Sequence, residues 1–218
     1  MKVAILGNSI TKHGFCEPVG WYANYGMAAS SAEKDFAHLL MKKFSSVEKC
    51  EFFVQNIADF ERFFENPYGV ENTCDQEFNR DKAMFVSIEA NYQKIIEFDA
   101  DIIIFAIGEN ISDMTTELRR EHLYTELIRL MKILGHNGKA KIFVRSQFWP
   151  ETVKDRILEK ACNAVGGHFI DISDEGGLLK YFAHDGRKFW HEGVANHPGD
   201  EGMKMIAEKI WEEVEKYL

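Results

Sequence analysis

The sequence predicts an α/β fold in which helices cover both faces of a parallel sheet, a three-layer α/β/α sandwich. Two observations lead to this prediction. Short apolar runs alternate along the chain with longer segments in which apolar residues recur at helical spacing. The clearest run, residues 101–107, is apolar from Ile102 onward, as expected for a parallel strand that is buried on both faces. The chain has no linker or repeat, so we predict one domain over residues 1–218.

Each predicted strand is an apolar run that stops at small or polar residues. The strands are expected at residues 2–7, 51–57, 101–107, 140–147 and 168–172. The first run stops abruptly in Gly7-Asn8-Ser9, and the third stops in Gly108-Glu109-Asn110. Small turn-forming residues at these points indicate that the chain turns sharply out of the sheet.

The helices between the strands are predicted from periodicity and from capping residues. They are expected at about residues 30–44, 87–98, 116–134, 151–164 and 200–216. Ser30 or Ser31 is the expected N-cap of the first helix. Residues 58–86 are the least regular stretch and are predicted to form a lid or an insertion, and residues 173–199 are predicted to form a loop.

Composition narrows the class of protein. A formal net charge of −9 argues against binding to nucleic acid or to an anionic membrane surface. The apolar runs are too short to span a bilayer, and no signal peptide precedes the first strand, so we expect a cytoplasmic protein, although a mature secreted chain would look the same. Four scattered cysteines without a C-x-x-C pair favour free thiols, and no cofactor or metal is expected.

Polar residues at strand ends form a candidate catalytic group. In open α/β sheets, ligands bind at the carboxyl ends of the strands. Ser9 is a candidate nucleophile there, and His197 is a candidate general base that could accept its proton. The Asn110 amide and the Ser9 backbone N–H could donate to an oxyanion, and Gly108 would permit the tight turn that Asn110 needs.

These blocks resemble the SGNH (GDSL-like) hydrolase superfamily. The resemblance rests on Gly7-Asn8-Ser9 after the first strand, Gly108-Glu109-Asn110 after the third, and the late block from His197 to Met203, which occur in the family's order over nearly the whole chain. It implies a flavodoxin-like sandwich with a five-stranded parallel sheet, and ester hydrolysis through an acyl-serine intermediate.

The sequence departs from the family pattern at two positions. The family usually has a glycine after the second strand, whose N–H is an oxyanion donor, and here Ala58 is the nearest substitute. The family usually has an aspartate three residues before the histidine, and here that residue is Val194. Glu192 is the nearest upstream acid, and a bulge could bring it to His197. The alternative is a backbone carbonyl, which would leave a Ser–His dyad.

The resemblance and the aromatic residues suggest a substrate class. A small acyl ester is expected, most simply an acetyl ester on a carbohydrate, with Trp21, Trp149 and Trp190 as candidate substrate contacts. Arg145 in the fourth strand is expected to be a buried ion-pair partner. Two other functions stay open: a flavodoxin-like ligand-binding module that holds phosphate in the turn after Gly7, and a hydrolase-like protein that has lost activity.

Overall fold

The computed structural model describes residues 1–65 and 87–218, in which five strands form one sheet of parallel strands in the order β2-β1-β3-β4-β5. The strands are β1 (Lys2–Gly7), β2 (Glu51–Asn56), β3 (Ile102–Ala106), β4 (Lys141–Arg145) and β5 (His168–Ile170). Gly7 pairs with Asn56 on one side and with Ala106 on the other, so these three strands end at the same edge. The predicted fold class and the predicted strands are confirmed.

Helices lie between the strands in the predicted alternation. They are α1 (Phe36–Val47), α2 (Ala58–Phe63), α3 (Ile88–Asn91), α4 (Gln93–Phe98), α5 (Glu117–Leu134), α6 (Thr152–Ala164), α7 (Glu192–Ala195) and α8 (Asp200–Val214). In the described ranges, none of the helices is both long and apolar enough to cross a membrane.

Three helical segments differ from the sequence prediction. The first helix begins at Phe36 because Asp35, not Ser30 or Ser31, caps it. The helix predicted at 87–98 is divided at Tyr92 into α3 and α4. The stretch predicted to be irregular begins with α2, and its residues 66–86 lie outside the described part of the chain.

The sheet separates two apolar layers. Alternate residues of β1 point to opposite faces, with Val3 and Ile5 on one side and Ala4 and Leu6 on the other. Helices α1 and α8 cover the first face, and α2 to α6 cover the second. Because both faces are covered, the central strands β1 and β3 are apolar on both sides rather than alternating, which explains why they were visible in the sequence.

A third, smaller apolar cluster joins two loops above the sheet edge. It packs the segment after β1 against the segment before α8. Its buried members are Val19, Trp21, Met27, Ala28, Ala183 and Val194. This contact brings together the loops that carry Ser9 and His197, which are 188 positions apart in the chain.

Candidate active site

Ser9 lies in a tight turn at the end of β1. The buried Asn8 side chain accepts a hydrogen bond from the Ile10 N–H through Oδ1 at 3.1 Å, and its backbone carbonyl accepts from the N–H groups of Thr11 and Lys12, both at 3.0 Å. A Cβ at Gly7 would come within 2.5 Å of the Ala106 carbonyl oxygen, so only glycine fits where β1 leaves the sheet.

The same hydrogen bonds argue against a phosphate-binding loop. A phosphate cradle needs several backbone N–H groups that are free to point at the ligand. Here the N–H groups of Ile10, Thr11 and Lys12 already donate to Asn8. Within the described ranges, the Ser9 N–H meets no acceptor in the protein, which leaves one donor beside the hydroxyl.

Ser9 and His197 are in direct contact. The Ser9 Oγ lies 2.8 Å from the His197 Nε2, and the His197 Nδ1 lies 2.6 Å from the carbonyl oxygen of Gly193. Because a carbonyl oxygen can only accept, Nδ1 carries the proton and Nε2 accepts the serine hydroxyl. This is the tautomer that a general base needs in order to remove the serine proton.

The environment of His197 favours its neutral form. Burial, with a smaller contribution from the nearby His13, lowers its pKa to about 4. The hydrogen bond to the Gly193 carbonyl and the charge of Glu109 oppose that shift only in part. His197 is therefore an uncharged acceptor at neutral pH.

Glu192 is not the third member of a triad, so that prediction was wrong. Residues Glu192–Ala195 form the short helix α7 rather than a bulge, and the Glu192 side chain is exposed. The family's aspartate position, Val194, is 3% exposed and packs in the third apolar cluster. The backbone carbonyl of Gly193 holds Nδ1 instead, so the geometry is that of a Ser–His dyad.

Ala58 does not offer a free oxyanion donor, so this prediction was also wrong. The Ala58 N–H donates to the Asn56 Oδ1 at 2.9 Å. This local bond closes the turn between β2 and α2, as asparagine side chains commonly do two residues before an N–H. Of the three predicted oxyanion donors, Ser9 and Asn110 remain.

Asn110 is held by two side chains from α2. Its Nδ2 donates to the Glu61 Oε2 at 2.9 Å, and its Oδ1 accepts from an Arg62 terminal nitrogen at 3.2 Å. The turn that carries Asn110 depends on Gly108, whose φ of +130° is rarely open to other residues. The predicted role of Gly108 in this turn is confirmed.

Two buried carboxylates next to the site were not singled out from the sequence. The Glu109 Oε1 pairs with the Arg145 Nη1 at 2.8 Å and accepts from the Phe148 N–H at 2.9 Å, while its Oε2 accepts from the Asn8 Nδ2 at 2.6 Å. Burial alone would raise the Glu109 pKa, but Arg145 and these donors hold it below its usual value. The expected ion pair of Arg145 is confirmed.

Glu61 is the second buried carboxylate, and it connects Asn8, the neighbour of Ser9 in the chain, to Asn110. The Asn8 side chain donates to its Oε1 at 3.3 Å, and the Gly108 N–H donates to the same atom at 2.5 Å. Burial and the charge of Glu109 raise the Glu61 pKa to about 7. Nothing in the sequence indicated this role, because a glutamate in the first turns of a helix is ordinarily solvated.

The three candidate tryptophans have different surroundings. Trp149 makes an edge-on contact with the His197 ring at 5.5 Å between centroids, and its Nε1 donates to the Asn196 carbonyl at 3.2 Å. Trp190 is 78% exposed. Trp21 is only 7% exposed and packs in the third apolar cluster, which leaves little of its surface for contact with a substrate.

Comparison with known proteins found similarity in structure but not in sequence. No family model matches the sequence, and no curated protein matches it. The structure is similar to the lipase/acylhydrolase from Enterococcus faecalis, at a TM-score of 0.61 and 11% identity, covering 100% of this chain and 96% of that one.

Two further structures are similar over nearly the whole chain. An acetyl xylan esterase matches at a TM-score of 0.53 and 13% identity, covering 98% of this chain and 100% of that one. A GDSL-like lipase from Bacteroides thetaiotaomicron matches at a TM-score of 0.50 and 12% identity, covering 100% of this chain and 89% of that one. These likenesses confirm the fold that the resemblance to SGNH hydrolases implied.

Proposed function

We propose that the protein is a serine ester hydrolase that cleaves a small acyl ester through an acyl-serine intermediate. The observation that carries this proposal is the 2.8 Å contact between the Ser9 Oγ and an Nε2 of His197 that is free to accept a proton. The contact lies at the carboxyl edge of the sheet, where open α/β sheets bind their ligands.

The acylation step follows from the dyad. The Ser9 Oγ attacks the ester carbonyl carbon while the His197 Nε2 takes the hydroxyl proton. The carbonyl oxygen becomes an oxyanion that the Ser9 N–H and the second N–H of the Asn110 Nδ2 can stabilise. The Gly193 carbonyl accepts from the Nδ1–H of the imidazolium. Nε2 then gives its proton to the leaving alcohol oxygen, and the ester bond breaks.

Deacylation uses the same groups with water as the nucleophile. Nε2 takes a proton from water, the hydroxide oxygen attacks the acyl carbon, and the Ser9 oxygen leaves with the proton from Nε2. The products are a carboxylic acid and an alcohol, and the enzyme returns to its starting state. A neutral His197 at neutral pH suits both half-reactions.

We further propose that the acyl group is acetyl and that the alcohol is a carbohydrate. Support comes from the fold, which acetyl xylan and family two carbohydrate esterases share, and from Trp149, whose ring borders His197. An exposed aromatic ring, as at Trp190, can pack against the apolar face of a sugar.

The test has two readouts. An aryl acetate measures turnover, and a serine-reactive phosphonate followed by mass spectrometry locates the nucleophile. We expect hydrolysis and labelling of Ser9 in the wild type, and loss of turnover by several orders of magnitude in Ser9→Ala. Ser46→Ala, at an exposed serine on α1, is the control and should behave as the wild type does. Near-normal turnover in Ser9→Ala would overturn the proposal, and absence of both turnover and labelling would favour an inactive relative.

Acetate release from a panel of acetylated sugars tests the substrate class. Butyryl and longer aryl esters serve as the comparison for acyl length. We expect kcat/KM to be highest for acetyl esters and to rise further on an acetylated sugar. A preference for long acyl chains would exclude the acetyl proposal while leaving the serine mechanism intact.

A further inference from the structure

We infer that Glu61 is a positioning residue that fixes the orientation of the Asn110 amide, so that one of its N–H groups faces the oxyanion. This inference rests on the proposed function, because it assigns Glu61 a task in that reaction. Glu61 lies on α2 and is 1% exposed. It does not touch Ser9 or His197, so it would act through Asn110.

Within the described part of the chain, the hydrogen bonds of Glu61 come from the turns that carry the site. Its carboxylate accepts from the Asn110 Nδ2 at 2.9 Å, the Asn110 N–H at 3.3 Å, the Gly108 N–H at 2.5 Å and the Asn8 Nδ2 at 3.3 Å. An ionised carboxylate only accepts hydrogen bonds, and it can take several of them. Glu61 therefore joins the turn after β1, which bears Ser9, to the turn after β3, which bears Asn110.

Arg62 completes the restraint from the other side of the amide. A guanidinium only donates, and its contact is with the Asn110 Oδ1 at 3.2 Å. If the amide rotated by half a turn, Oδ1 would face the Glu61 carboxylate and Nδ2 would face the guanidinium, and both contacts would become repulsive. The pair therefore permits one orientation, in which the second N–H of Nδ2 has no protein acceptor within the described ranges.

The need for this restraint follows from the missing third donor. The Ala58 N–H is occupied by the Asn56 side chain, so Asn110 and the Ser9 N–H are the donors that remain for the oxyanion. Placing Glu61 beside the buried Glu109 is also costly, because two desolvated carboxylates lie near each other and the ion pair of Arg145 is with Glu109. A glutamine would avoid that cost but would not discriminate between the two ends of the amide as a carboxylate does.

The first test is a double-mutant cycle on Glu61 and Asn110, measured by ester hydrolysis at pH 8. Glu61→Gln should lower kcat about tenfold and leave KM within about twofold, because the lost interaction matters only for the oxyanion. In an Asn110→Ala background, Glu61→Gln should cause no further loss, since the amide that it positions is absent. Glu121→Gln, at an exposed glutamate on α5, is the matched control and should change neither constant.

Arg62→Gln keeps the test decisive if Glu61→Gln fails to fold. Arg62 is exposed, so its replacement should leave the fold intact. We expect a loss of kcat of about two- to fivefold, again only when Asn110 is present. An equal loss of kcat in the wild-type and Asn110→Ala backgrounds, or no loss in either variant, would overturn the inference.

A second measurement does not depend on activity. The side-chain amide signals of Asn110, assigned in a ¹⁵N–¹H spectrum by their absence in Asn110→Ala, report whether Glu61 holds Nδ2. We expect hydrogen exchange of these protons to be slow in the wild type and in Glu121→Gln, and at least about tenfold faster in Glu61→Gln. Equal exchange rates would overturn the inference even if the protein is an esterase. If no ester is hydrolysed, the proposed function fails, and this experiment still reports on the Glu61–Asn110 contact.

Discussion

Glu192 differs from the usual third member of a catalytic triad in what it contacts. Because the Gly193 carbonyl already holds the His197 Nδ1, removing the Glu192 charge should not disturb the base. We expect Glu192→Gln to keep kcat within about twofold of the wild type, whereas loss of a triad carboxylate costs about 10⁴-fold. Steady-state kinetics on an aryl acetate measure this, with His197→Ala as the inactive reference. A steep loss in Glu192→Gln would restore Glu192 to the triad.

The acid side of the pH profile should separate His197 from Glu61. Base function requires neutral His197, so activity should be abolished as pH falls through about 4. Protonation of Glu61 removes an acceptor from the Asn110 amide, so a partial loss of kcat should come earlier, as pH falls through about 7. Of the titratable groups in the described ranges, Glu109 raises the Glu61 pKa by its charge, and Tyr92 also lies close enough to interact with Glu61. The charged Arg62 follows Glu61 on α2 and contacts Asn110.

The variant Glu61→Gln should show only the loss of activity near pH 4, which comes from protonation of His197, and not the partial loss near pH 7. Its kcat should start below that of the wild type at pH 8 and then stay level until His197 protonates. Measurement of kcat between pH 8 and pH 4 in both proteins checks this. Two steps in Glu61→Gln would mean that the upper step belongs to another group.

The sequence predicted the residues that we propose to react, but not the residues that hold them. Ser9, Asn110 and His197 stand next to strand ends or in a recognisable block, so the pattern of the parallel sheet predicts their approach. Glu61 lies within a helix, and tertiary packing decides whether its side chain faces the site. The prediction that Glu192 is the third member of the triad was wrong. Whether residues 192–195 form a bulge or a helical turn depends on the burial of Val194.

At the scale of the elements, apolar runs predicted the strands more accurately than capping residues predicted the helices. The prediction for β1 matches its observed bounds, since a doubly covered strand is apolar along its whole length. The predicted start of α1 was wrong because Ser31 and Asp35 are both acceptable N-caps by residue type. Only the packing of Asp35, which is fully buried, decides between them.

Asp35 should contribute more stability than an ordinary N-cap. It accepts hydrogen bonds from the N–H of His38 at 2.7 Å, from the His38 Nδ1 at 2.9 Å and from the buried Gly26 N–H at 2.9 Å. Asp35→Ala should lower the free energy of unfolding by about 2–4 kcal/mol, because it removes the cap and leaves a buried N–H unpaired. Urea denaturation measures the change.

The comparison is with Thr116→Ala at the exposed N-cap of α5, where Thr116 accepts only from the Arg119 N–H. Here we expect a loss of about 0.5–1 kcal/mol. Equal losses in the two variants would show that the link from Asp35 to Gly26 adds nothing to the cap.

For the whole molecule, the sheet order explains why distant residues meet. The chain adds β2 on one side of β1 and β3 on the other, so a crevice opens between β1 and β3 at the carboxyl edge. Ser9 leaves β1 on one side of this crevice, and Gly108 to Asn110 leave β3 on the other. The sequence predicted a parallel sheet but not the helix after β2 that places Glu61 between the two turns.

The buried groups at this edge also give the whole molecule a pH-dependent stability. Glu61 has a folded-state pKa of about 7, above its ordinary value, so the folded state holds a proton that the unfolded state releases between about 4.5 and 7. Its favourable contribution is present below that window and is lost as pH rises through 7. His197 acts in the opposite sense, since its lowered pKa destabilises the fold as pH falls from about 6.5 to 4.

Glu61→Gln separates the two effects, because glutamine does not titrate. The difference in free energy of unfolding between this variant and the wild type should be more favourable to the variant at pH 8 than at pH 5, by on the order of 1–3 kcal/mol. The reason is that the wild type must ionise a buried carboxylate over this range and the variant does not. Urea denaturation at both pH values gives the difference, with Glu121→Gln as the control for removing an exposed carboxylate. The same difference between variant and wild type at pH 5 and pH 8 would mean that Glu61 does not change protonation in that range. The upper step of the activity profile would then need another origin.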